Sequence, residues 1–231
     1  MEAAPRNPVA IFPLPDVVLF PHAQLPLHIF ELRYRTMVRD ALSEERMIAL
    51  ALLKSGWEQD YYGSPEFQPL GCLARFEEVE WLPNDCYDLK VQGVARVRFT
   101  RIVKEFPYRA ARVEVLPQDP YTEDDPLIEM EKEALAATFE RLLVALGVTS
   151  SQTHVDRAAS YETLVNTLCA GSDLSPVERL ELLELDSVVE RGRRIRELTE
   201  RRLKEGVAAK TPGRARPPEK PEAGEEGGQQ N

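Results

Sequence analysis

Between Val9 and about Pro117 the apolar residues come in short runs or alternate with polar ones, as in 46-RMIALALL-53, 71-GCLARFEEVEWL-82 and 94-VARVRFTRIV-103. The runs end at proline, at glycine or at the pair Asn84-Asp85. Alternation with a period of two sends successive side chains to opposite faces of a strand, so this half predicts a small barrel or sandwich. One segment breaks the pattern. Tyr34, Met37, Val38, Ala41 and Leu42 recur at helical spacing and predict a helix with one apolar stripe on the sheet, its charged face (Arg33, Arg35, Arg39, Asp40) turned outward.

The pattern changes after 117-PQDPYTEDDP-126, a proline-rich acidic stretch that reads as a linker. Helices are predicted beyond it. The first runs from Leu127 to Leu146, with Glu123, Asp124, Asp125 and Glu129 around its positive end and Gly147 as a stop. A second spans about Val155 to Cys169. A third opens at 175-SPVERLELLEL-185, where Ser175 caps, Pro176 takes the first position and Glu178 completes a capping box. The last runs from Ser187 to Glu205 with Val188, Ile195, Leu198 and Leu203 on one side. From Gly206 on, proline, glycine, charge and glutamine leave too little apolar surface to offset the entropy of ordering, and a disordered tail is expected. The expected organisation is α+β: a β-rich unit over residues 8–117, a helical bundle over 122–205 and a tail over 206–231.

Charge and cysteine usage narrow the function. The net charge is -10. In the tail, Lys210, Arg214, Arg216 and Lys220 balance Glu219, Glu222, Glu225 and Glu226, so the excess acid sits on the folded body. Such a body is a poor general partner for phosphate backbones. Cys72, Cys86 and Cys169 have no CxxC spacing, which argues against a zinc knuckle or a disulfide framework and for reduced thiols in a cytoplasmic protein. The start has no signal-peptide pattern, and the longest uncharged run, Val17 to Phe30, is too short and too broken by Pro21 and Pro26 to cross a bilayer. No membrane partner is expected.

The segment 11-IFPLPDVVLFPHAQLPLHIFELRYRTMV-38 resembles the opening of the Lon protease amino-terminal domain, with its FPL, VLFP and LPL strands running into a helix. Its LHIFE and RYR are most similar to the small free-standing members of that family. The likeness continues in 89-LKVQGVARVRF-99, similar to a glycine-turn strand pair, and in 175-SPVERLELLELDSVVERGRRI-195, similar to a helical region of the family. The resemblance covers about Asn7 to Glu205. It implies a PUA-like pseudo-barrel followed by a helical bundle, and a non-catalytic module that binds unfolded or specific protein clients as an adaptor or chaperone-like factor. A protease or chaperone would be a further partner, and self-association stays open. No GxxxxGK[ST] occurs, since 206-GVAAKT-211 has only its end, so no ATPase is expected; the resemblance reaches only the amino-terminal domain and implies no Ser-Lys peptidase either.

The candidate residues follow from this. The loop between two predicted strands, 54-KSGWEQDYYGSPEFQPLG-71, holds Trp57, Tyr61, Tyr62 and Phe67, and aromatic rings with polar tips suit a surface that is both apolar and wet. These four are the expected protein-binding residues. The competing reading folds them back as a lid on the barrel core. Arg96, Arg98, Arg101 and Arg112, in predicted strands, could line a basic groove and support the alternative of a PUA-like RNA-binding protein. His28 is expected as a structural histidine bonded within the barrel. With His22 and His154 it forms no ligand set, and the neighbouring acids Glu77-Glu78 and Asp124-Asp125 read as a solvated face and a helix start. No catalytic residue, metal or cofactor is expected.

Overall fold

The longest strand organises the sheet. In the computed structural model, which describes residues 8–60, 63–148 and 155–205, strands β1 (Val9–Leu14), β2 (Gln24–Ile29), β3 (Met47–Leu53), β4 (Phe67–Trp81), β5 (Tyr87–Lys104) and β6 (Ala110–Val115) form one sheet. Strand order is β2-β5-β4-β3-β1-β6, and the last strand also pairs with β5. The amino-terminal half of β5 lies beside β2 and its carboxy-terminal half beside β6. The five strands β1, β3, β4, β5 and β6 therefore close into a ring, and β2 is an added edge strand. Only β1 and β3 run parallel.

Closure splits the apolar residues between two faces. Val9, Ala49, Leu73, Val97 and Val113 pack inside the ring, next to a second cluster of Ile11, Ala51 and Ala111. Three of these eight are alanines because a five-stranded ring has a narrow interior. Gly71 belongs to the same economy: a Cβ there would stand 2.9 Å from the Phe99 ring and 2.2 Å from the Leu50 carbonyl oxygen. The outer face carries Ile48, Leu50, Cys72, Ala74 and Val91 into a much larger cluster. Helix α1 (Leu32–Leu42) covers part of it with Tyr34, Met37, Val38 and Ala41, the stripe the sequence predicted. Helices α2 (Pro126–Ala145), α3 (Tyr161–Gly171), α4 (Pro176–Glu184) and α5 (Val188–Glu205) contribute the rest.

Several expectations hold to the residue. Ser175 and Glu178 form the full capping box with Pro176 behind it. Asp125 caps α2 by accepting from the Leu127 amide, and Gly147 ends that helix at φ 73°. Others need correction. The helix expected from Val155 starts at Tyr161, because Ser160 caps it through the Thr163 amide while Arg157, upstream, is held by Glu133 and Glu140. Glu123 does not serve α2. It accepts from the Tyr161 amide at 2.7 Å and so lies at the positive end of α3. Gly93 is not in a turn but inside β5, at a bulge where Ala74 faces Gly93 and Leu73 faces Ala95. A Cβ there would lie 2.0 Å from the Phe20 carbonyl oxygen, so the glycine lets the chain before β2 press on the sheet. The acidic linker is also anchored: Leu116 and Tyr121 pack on the large cluster, and Asp119 donates to the Asp186 carbonyl. That cluster runs unbroken from barrel to helices. The predicted tail over 206–231 lies outside the described residues.

Candidate protein-binding cleft

β1 stays paired with β3 through Pro13 and Leu14, and the chain bends away at Pro15 and Asp16. Val18, Leu19 and Phe20 then bury themselves in the large cluster. The Phe20 carbonyl against Gly93, the His22 amide donating to Gly93 and the Gly93 amide donating to Ala23 fix this segment to β5. From α4, Arg179 donates to the Asp16 carbonyl at 2.7 Å. Between this segment, β2, the start of α1 and Trp57 lies a cleft of about 240 Å³. Leu14, Val17, Leu25, Phe30, Tyr34 and Trp57 supply much of its apolar wall. Tyr34 forms the floor, edge-on to Phe12 with ring centroids 4.7 Å apart, and burial pushes its phenol up to about 12, so it stays neutral. Phe30 is 50% exposed, unusual for a large apolar side chain.

The aromatic loop is divided by the fold. Trp57 opens a short 3₁₀ turn, Trp57–Asp60, and lines the cleft half-buried, outside the packed clusters. Tyr61 and Tyr62 lie outside the described residues. Phe67 has already entered β4. It packs with the interior cluster, edge-on to Phe99 at 5.2 Å, and Arg109 stands 4.8 Å over its ring. The far side of the loop is fastened, because Arg33 donates to the Gly63 carbonyl and Arg109 to that of Pro65.

The arginine quartet does not form one groove. Arg96 is buried and bonds to the carbonyls of Leu183, Glu184 and Pro117 and to the Asp186 carboxylate at 2.7 Å. Arg98, Arg101 and Arg112 remain exposed, with Arg101 opposite Arg112 across the β5–β6 pair and Arg98 opposite Glu114. Arg191, Arg179, Arg33 and Arg109 are further anchors that no local pattern marks. Each reads in the sequence as one charge on a solvated face. His28 also departs from expectation: on the outward side of β2, half-exposed, it pairs with Asp88 at 2.6 Å and stacks on Phe30. Even-numbered positions of β2 point away from the core, so it is bonded but not inside the barrel. His22 lies 3.4 Å from Glu162 and ties the β2 approach to α3. Among the described residues no group of three or more His, Cys, Asp or Glu is placed to hold a metal ion, and no helix is long and apolar enough to cross a membrane.

A five-stranded ring with an added edge strand, buttressed by a helical bundle, defines an α+β domain. The chain belongs to the ATP-dependent protease La (LON) substrate-binding domain family, whose model matches residues 8–201. It is 33% identical over 132 residues to a Lon protease of Anaeromyxobacter dehalogenans, covering 57% of this chain and 15% of that protein. It is 27% identical over 201 residues to Lon protease 2 of Herpetosiphon aurantiacus, covering 84% of this chain and 24% of the relative. The chain thus spans a quarter or less of the length of these relatives, and the match lies in their Lon amino-terminal part. Among solved structures, the Lon N-terminal domain protein from Xanthomonas campestris superposes with a TM-score of 0.59 at 24% identity, over 82% of this chain and 96% of that one. The N-terminal domain of Mycobacterium avium complex Lon protease gives 0.60 at 17% identity, over 84% and 98%. At these identities the two structures establish the fold.

Proposed function

We propose that this chain is a non-catalytic protein-binding module that captures apolar segments of unfolded or specific protein clients in the cleft beside Trp57. The observation that carries the reading is the cleft itself: an apolar opening with Phe30 half-exposed at its edge, next to a core already filled by other residues. Apolar surface left in water at such a place marks a site of association. Membership of a substrate-binding domain family supports the same reading. Tyr61 and Tyr62 follow Trp57 closely in the sequence, and we propose them as part of the same surface. Phe67 serves the barrel interior. An adaptor or chaperone-like role, with the client passed to a protease or refolding factor, is the service such a module would perform. The loss of Arg96 to an internal contact weakens the RNA alternative.

The test is a fluorescence titration of a permanently unfolded model protein with the full chain and with Phe30→Ala/Trp57→Ala. The double variant should lose about 1–3 kcal/mol of binding free energy while its melting temperature stays close to that of the parent. Unaltered affinity in a folded variant removes the cleft from the function. A large fall in stability shows that the two rings are part of the core.

A further inference from the structure

Among the described residues strand β2 has a neighbour on one side only. β5 takes one edge, and among the described residues no strand, turn or side chain bonds to the backbone of Gln24–Ile29 on the other. The Ala23 carbonyl accepts from the Gly93 amide. Residues of an antiparallel strand turn their backbone groups to alternate edges, so Leu25, Leu27 and Ile29 address β5 while Gln24, Pro26 and His28 address the open edge. Pro26 fits this phase, because its missing N–H falls where the sheet requires no donor.

The cleft runs along that edge. Leu27, His28 and Ile29 all line it, although neighbouring side chains of a strand point to opposite faces. A cavity that meets both faces of a strand meets its edge, and with it the free amide and carbonyl of His28 and the carbonyl of Pro26. Across from them stand Leu14, Pro15, Val17 and Trp57. Charge narrows the occupant further. Among the described residues Asp16 and Glu31 line the cleft and no lysine or arginine does; Arg33 pairs with Glu31 at 3.0 Å and Arg179 interacts with Asp16, both from outside the lining, so the face turned to an occupant is acidic.

We propose that the cleft takes an extended client segment as an additional strand on β2, with apolar side chains at alternate positions and basic rather than acidic residues between them. This rests on the reading of the cleft as the client site. Main-chain bonds to the edge supply affinity for any extended chain, the apolar wall selects alternate side chains, and the acidic lining sets the sign of charge.

The experiment uses the full chain and short fluorescent peptides in which phenylalanine or valine alternates with lysine, a matched set with glutamate, and a lysine set N-methylated along one backbone edge. Binding of the lysine peptide should depend on Trp57, fall at least about tenfold on N-methylation, and be weaker by a similar factor for the glutamate peptide. His28→Pro removes the one amide in the middle of the open edge, whereas His28→Ala removes the side chain and keeps that amide. The proline variant should bind about tenfold more weakly than the alanine variant. If His28→Pro does not fold, N-methylation of the peptide still reads the same bonds. Binding that needs Trp57 but ignores N-methylation and His28→Pro overturns strand addition and leaves the client site standing. Equal binding of the lysine and glutamate peptides overturns the charge preference. No peptide binding at all, or binding indifferent to Trp57, overturns the site and this proposal together.

Discussion

Arg96 of the barrel and Arg191 of the last helix together take four consecutive carbonyls at the end of α4. Arg96 donates to Leu183 and Glu184, and Arg191 to Leu182 and Leu185. The final carbonyls of a helix have no partner within it and carry its negative end, so two buried guanidinium groups satisfy both the bonds and the charge. Burial lowers Arg191 to about 10, and it remains protonated at neutral pH. Helix α4 thus held carries Arg179, which grips the Asp16 carbonyl at the wall of the cleft.

Arg191→Met should therefore cost on the order of 2–4 kcal/mol in urea unfolding, since it strands buried acceptors and orphans the side-chain Oδ1 of Asn166 that Arg191 also engages. Arg96→Met should cost a similar amount and also release Pro117, so that a protease cuts between residues 118 and 125 faster than in the parent. Equal cleavage rates would show that Arg96 does not anchor the linker.

Acid should act through Glu162. Its carboxyl is held below the usual 4.5 first by the hydrogen bond from His22, with burial opposing. A carboxylate depressed in the folded state contributes stability above its unfolded pKa, and the contribution is lost as pH falls through the folded value. Unfolding free energy should decline below about pH 4.5, and Glu162→Gln should flatten part of that decline. Superimposable pH profiles would contradict the contact.

Cys72 and Cys169 are fully buried, and desolvation pushes each thiol up to about 12. Thiolate is the reactive form, so neither should be alkylated by iodoacetamide at pH 8 in the native protein, and both should react in denaturant. Fast native labelling of either would show that its surroundings open.

Gly93→Ala puts a methyl group against the backbone carbonyl of Phe20, and since neither the Cβ nor that carbonyl has a rotamer to change, the backbone itself must shift. A loss of roughly 2–4 kcal/mol is expected, with weaker client binding because the segment that walls the cleft must lift.

Much of the fold was legible. The strand alternation, the α1 stripe and the capping box at Ser175 are local signals, and each appears where the sequence placed it. That Trp57 lies between two strands was legible from the glycines and prolines around it. What was not legible depends on distant pairing. Ring closure by β5 and β6 decides that Phe67 faces inward, and nothing near residue 67 records that. Arg96 looked like a groove arginine because it lies in a predicted strand close to Arg98 and Arg101, while the α4 terminus that covers it comes 87 residues later. The cleft likewise joins segments that only the folded chain brings side by side.

The most direct measurement follows backbone amide resonances of the full chain while an unfolded client is titrated in. Shifts and broadening should concentrate at residues 14–17, 24–31 and 57, with the exposed apolar side of α2, where Leu127, Met130 and Val144 lie, unaffected. Changes centred on α2 or on the β5–β6 arginines, with the cleft silent, would contradict its role as the client site.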